Sequence, residues 1–184
     1  MSIIQRALYE QLHSRFAANS RRVAALARPL DPERLVRRPP SGGWSVGEVL
    51  EHLCVIDESY AAPTSNLIRS ARADAAAPLR EWKPTLLGKA LAGMLERPAP
   101  LKAPKRFVPL GSPRGGVVEE FLTRSAELAA LMETASNLDW RALRMSPPNL
   151  PRLFKVNLGD VFRMNAVHVE RHLGQMERVV AAIG

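Results

Sequence analysis

The chain has 184 residues, 46% apolar and 24% charged, with a formal net charge of +8. That length suffices for one domain with a real core, so residues 1–184 are read as a single domain, and the lack of any uncharged apolar run of about 18 residues argues against a membrane span. The positive charge raises the question of nucleic acid, but 21 of the 26 basic residues are arginines spread along the chain, few aromatics are interleaved for base stacking, and such a partner is disfavoured.

Residues 2 to about 28 place Ile4, Leu8, Leu12, Phe16, Val23 and Leu26 on one side of a first helix that ends before Pro29. Arg6 and Glu10 interrupt what a signal peptide would keep apolar. With a single cysteine, Cys54, the sequence points to a reducing cytoplasm. The next stretch, RPLDPERLVRRPPSGG, reads as turn. A second helix opens at Ser45, with Glu48 completing a capping box and Trp44 placed to staple onto Val49. Val49, His52, Leu53, Ile56 and Tyr60 form its inward stripe, and Pro63 predicts a kink or break before an end near Arg72.

Residues 73 to about 115 are Pro-rich, with a short helix predicted at Leu86 to Leu95 and an extended remainder. So long a connection usually serves a function or is poorly ordered. A third helix is predicted from about 117 to 136 through Val118, Phe121, Leu122, Leu128 and Leu131, and a fourth from about 158 to 183. Strand signals are weak. The predicted fold is therefore all-α: a four-helix bundle with a long Pro-rich crossover between helices two and three.

Three of the four histidines carry the chemistry. Asn165, His168, His172 and Gln175 follow a 3, 4, 3 spacing and share one stripe of the last helix, while His52 faces inward from the second. A lone histidine on an apolar face is usually a satisfied core residue. An HxxxH pair with a third inward histidine is different, because neutral imidazoles converging without a cation compete for partners. Three imidazoles suit zinc, nickel, copper or iron and leave a coordination position open. His13 lies off the main stripe of helix one and is excluded. Glu170, midway in HVERH, does not fit a zinc-protease motif and is read as a surface residue. Two groups are candidates for a catalytic role beside the metal: Glu48, whose capping-box role is at least as good an account, and Gln175, which like Asn165 would orient a ligand or substrate.

Trp44-Ser45 opening a helix, Glu48, the run Glu51-His52-Leu53, and His168-x-x-Arg171-His172-x-x-Gln175 together resemble the DinB/YfiT-like superfamily. The resemblance covers nearly the whole chain and extends to LPRLFKVNLGDVFRMNAVHVERHLGQ. It implies a four-helix bundle in which His52, His168 and His172 bind a divalent metal, zinc or nickel, and several such proteins form homodimers. Characterised members include transferases dependent on the low-molecular-weight thiols bacillithiol and mycothiol, and a mycothiol-dependent maleylpyruvate isomerase.

Three readings follow. The first is a metal-dependent enzyme that activates a thiol or water for transfer or hydrolysis on a small electrophilic substrate, with Lys102, Lys105 and Arg106 receiving the carboxylates of an anionic thiol. The second is a non-catalytic metal-stabilised bundle serving as a sensor or interaction module. The third, nucleic-acid binding, rests on charge alone beyond the family's name.

Overall fold

The computed structural model describes residues 2–97 and 101–184. Residues 98–100 of the predicted extended stretch lie outside the described residues. The four predicted helices are present as α1 (Gln5–Ala27), α3 (Val46–Ser70), α5 (Val117–Thr134) and α6 (Leu158–Ile183). A short α2 (Pro32–Val36) lies in the first turn region, capped by Asp31 and with proline at its first position. The predicted crossover helix is α4 (Leu86–Glu96), capped by Thr85.

Both α1 and α3 pack against α5 and α6, closing the bundle, while α4 lies along α6. The core has two main clusters. One, around Phe16, Met132, Trp140 and Phe162, fills the end where α1 begins. The other, around Val23, Leu50, Leu53, Phe121 and Leu173, fills the end where α3 begins. A smaller cluster of Ala92, Val156, Val161, Met164 and Val167 seals α4 against α6.

Local details depart from the predicted stripes for identifiable reasons. Ile4 is 46% exposed, and Gln5 takes the inward position instead. The Gln5 amide donates to the Leu138 carbonyl and accepts from Trp140 N–H, both at 2.9 Å, so burial leaves neither of its polar ends unpaired. Helix α3 runs through Pro63 without ending. Buried Thr64 and Ile68 beyond the proline hold the last turns by packing, which outweighs one lost backbone hydrogen bond. The αL start of α5 requires its glycine: Gly116 has φ 73.

The crossover is pinned at several points. Near its beginning, β2 (Glu81–Trp82) pairs antiparallel with β1 (Ile3–Ile4), Ile3 opposite Trp82. The indole of Trp82 donates to Asn157 Oδ1 at 3.0 Å, and Asn157 donates to the Lys83 carbonyl at 2.9 Å. Asn157 is the N-cap of α6 and forms a capping box with Asp160. Asp160 Oδ2 in turn accepts from both N–H and hydroxyl of Thr85, at 3.0 and 2.8 Å. A second two-residue pairing, β3 (Arg144–Met145) with β4 (Val156–Asn157), leads straight into the same helix start. The far end of the crossover sets Pro113 against Gly47 at the start of α3. The start and rotation of α6, which carries two of the three histidines, are thereby fixed by the crossover and not by the bundle alone.

Between α3 and α6 lies a buried polar tie. Asn165 Nδ2 donates to Asp57 Oδ1 at 2.7 Å. Burial pushes the Asp57 carboxyl up to about 7, against the lowering effect of the Asn165 amide and of Arg124.

Two predictions follow from these contacts. Alanine normally stabilises a helix relative to glycine by about 1 kcal/mol, yet a Cβ at position 88 would stand 2.1 Å from Asp160 Cγ. Gly88→Ala is therefore expected to destabilise the fold by about 1–3 kcal/mol, read as a lower urea midpoint with unchanged m-value. For Asp57, the folded chain keeps a proton that the unfolded chain has released, since the ordinary value is 3.8 and the folded one about 7. Its contribution is present below about pH 4 and is lost as pH rises through about 7. Asp57→Asn should thus gain on the wild type as pH rises across that window, by on the order of a few kcal/mol in unfolding free energy. Chemical denaturation of both proteins at matched pH values measures the difference and cancels other titrations.

Candidate metal centre

The second turn of α3 carries His52, and the middle of α6 carries His168 and His172 one turn apart. The two helices bring all three imidazoles together: their ligand nitrogens lie within 4.8 Å of one another. His168 Nε2 is 3.0 Å from His172 Nε2 and 3.4 Å from His52 Nε2. Nitrogens bound at about 2.0–2.1 Å to one tetrahedral ion stand about 3.3 Å apart. The observed spacings bracket that value.

Two of the rings are fixed in tautomer as well as position. His52 Nδ1 donates to the backbone carbonyl of Phe107 at 2.7 Å, and His172 Nδ1 donates to Gln175 Oε1 at 2.9 Å. With the proton on Nδ1, each ring turns its Nε2 lone pair to the shared centre. The rings are also held neutral. Burial lowers the pKa of His52, opposed by the Phe107 carbonyl. Burial and the neighbouring imidazoles hold His168 well below its usual value. His172 falls to about 3, through burial first and then His52, against the raising effect of Gln175. Three neutral imidazoles turn their Nε2 atoms toward one point, two of them as lone pairs fixed by tautomer, and such a set fits a cation.

Trp44 leans on the same group, its ring centroid 4.9 Å from that of His52 and 6.4 Å from that of His172. Arg171 donates to the carbonyls of Leu95 and Arg97, at 3.2 and 2.6 Å, closing the C-terminal end of α4 beside the centre.

The histidines open onto a cavity of about 1330 Å³. Gln175 and Asn165 line it. Glu48 does not: its carboxylate accepts from Ser45 N–H at 2.8 Å and from the Arg38 guanidinium, completing the predicted capping box. Burial would raise the Glu48 carboxyl, but the Arg38 and Ser45 hydrogen bonds outweigh it and leave the pKa lowered. Of the three predicted basic groups of the crossover, Lys102 lines the cavity. Arg106 instead donates to the Pro148 carbonyl at 2.6 Å and stacks over Phe107. His13 is exposed on α1, and Glu170 pairs with Arg15 at 2.6 Å. Cys54 is fully buried among apolar side chains.

The sequence reading did not find the Phe107 carbonyl, since a backbone acceptor leaves no residue signature. Nor did it find Asp57, although its spacing of eight residues from Val49 already put it near the inward face.

No curated protein and no solved structure matches this chain. A family profile described as the DinB superfamily matches residues 15–176, a span that includes all three histidines, the whole of α3 and most of α6. The chain belongs to the DinB superfamily.

Proposed function

We propose that this protein is a metal-dependent enzyme in which His52, His168 and His172 hold one divalent ion, zinc or nickel, and the adjoining cavity receives a small electrophilic substrate. The observation that carries the reading is the convergence of three neutral Nε2 atoms at the wall of a large cavity. A purely structural ion would call for a closed ligand set, whereas three ligands beside open space suit a site that takes a ligand of its own. When bound, such an ion lowers the pKa of a coordinated thiol or water and so supplies a nucleophile near neutral pH.

The remaining steps belong to the chain. Phe107 and Gln175 hold the His52 and His172 rings in the tautomer that ligates. Trp44 and the crossover residues Pro104 and Phe107 wall the cavity on one side. Arg97, Lys102 and Arg178 line it as cations, while its two acidic lining residues, Glu96 and Glu170, are already paired with Arg163 and Arg15. That excess draws in an anionic partner, which suits a low-molecular-weight thiol bearing carboxylates. Gln175 acts as a positioning residue through His172, and Glu48 through the start of α3.

All three ligands come from one chain, so the homodimer that the resemblance implies would not be needed to complete the site. The free, buried Cys54 is in keeping with a cytoplasmic location.

His52→Ala, His168→Ala and His172→Ala are each expected to abolish stoichiometric metal uptake, read by elemental analysis after dialysis against zinc or nickel. Gln175→Ala should keep the three ligands but weaken metal affinity about 10- to 100-fold, read by competition with a chromogenic chelator. Activity is tested by offering low-molecular-weight thiols and electrophiles to the metal-loaded protein. Turnover above that of His52→Ala is the expected result, and turnover never exceeding it across the screen overturns the enzymatic reading.

A further inference from the structure

The cavity is polarised along α6. On this helix its lining runs from Val161 and Met164, through His168 and His172, to Gln175 and Arg178. Helix α3 runs antiparallel beside it, since Asp57 meets Asn165, His52 meets His168 and Trp44 stacks on His172. Ile56 and Tyr60 of α3 therefore stand at the Val161 end. Helix α4 runs parallel, Gly88 resting on Asp160 and Leu95 lying beside Arg171. It adds Leu91 and Met94 to the apolar side.

The result is a mainly apolar arm, walled by α3, α4 and α6, that leads away from the histidines; its polar groups are the Tyr60 hydroxyl and Asn165, whose amide is already bonded to Asp57. From His168 back to Val161 the helix rises about 10 Å at about 1.5 Å per residue. That is the length of an extended chain of about eight carbons with bonds of about 1.5 Å. At the mouth, Met94, Leu101 and Val108 keep 43%, 41% and 36% exposure although all three line the cavity. Large apolar side chains left wet on the wall of a cavity mark a surface that an apolar ligand covers.

We propose that the molecule this site acts on carries a straight-chain or aryl apolar tail of about six to eight carbons, lying in the arm with its polar head at the three histidines. This deepens the enzymatic reading and rests on it. A tail in the arm places the atom next to the head group beside the ligating nitrogens, and an anionic head is met by Lys102 and Arg97.

The test uses straight-chain alkanoates from acetate to dodecanoate, displacing 1-anilinonaphthalene-8-sulfonate from the full-length protein, metal-loaded and metal-stripped. Affinity is expected to climb about three- to fourfold per methylene, the fold-change equivalent to about 0.8 kcal/mol, and to level off near eight carbons. Leu91→Arg, which puts a charge in the arm, should flatten the climb, while Leu91→Met retains it. Met94→Glu, at an exposed position that leaves the core intact, should reduce the climb even if Leu91→Arg fails to fold. Affinity independent of chain length overturns the proposal, as does a climb unaffected by both Met94→Glu and Leu91→Arg. Metal content, measured in parallel, separates the two claims: metal bound with a flat series overturns the tail alone, whereas a climb in a chain that takes up no metal supports the arm and overturns the catalytic reading.

Discussion

One buried hydrogen bond, from His52 Nδ1 to the Phe107 carbonyl, serves two parts of this molecule at once. On the helix side it chooses the tautomer of His52 and aims Nε2 at the other two rings. On the crossover side it satisfies a carbonyl that burial would otherwise leave without a partner, and so pins an irregular, Pro-rich segment over the cavity. Remove it, and both the ligand geometry and the cavity wall lose their anchor. The same division of labour recurs at α6, where Asn157 and Asp160 start the helix and Trp82 and Thr85 of the crossover hold that start. A connection that would look like a dispensable insertion is in fact what sets the site.

The bundle was legible in the sequence because its signals are local. Capping boxes, apolar residues at three- and four-residue spacing, and prolines between segments mark the four long helices and α4. The histidine trio was legible for the same reason, as His168 and His172 share a stripe and the phase of α3 is fixed at Ser45. What escaped was decided by partners far along the chain. Gln5 is buried because Leu138 and Trp140 meet its amide. The αR path survives Pro63 because packing downstream compensates. Glu48 sits at the position expected of it, but Arg38 and Ser45 occupy its carboxylate, a fact that depends on how the turn before α3 folds back.

The net charge has a similar lesson. Many of the arginines are engaged in pairs that join one element to another: Arg114 alone reaches Glu51, Glu58 and Glu120, and Arg22 and Arg28 pair with Glu177 and Glu119. Exposed pairs of this kind add little stability, typically about 0–1 kcal/mol, yet several of them fix which helix faces which. Only a few cations, Arg97, Lys102 and Arg178 among them, gather at the cavity, and composition gives no hint of which those are.

Cys54 offers a way to watch the molecule breathe. It lies two residues from His52, its thiol fully buried and pushed up to about 12 by burial and by Glu120 and Asp57. In the closed state it is shielded from alkylating reagents and is almost entirely protonated, so it reacts only when the packing of α3 against α5 opens. The rate of its modification is thus a clock for the opening of the helix that holds His52, and one readable without any knowledge of the substrate.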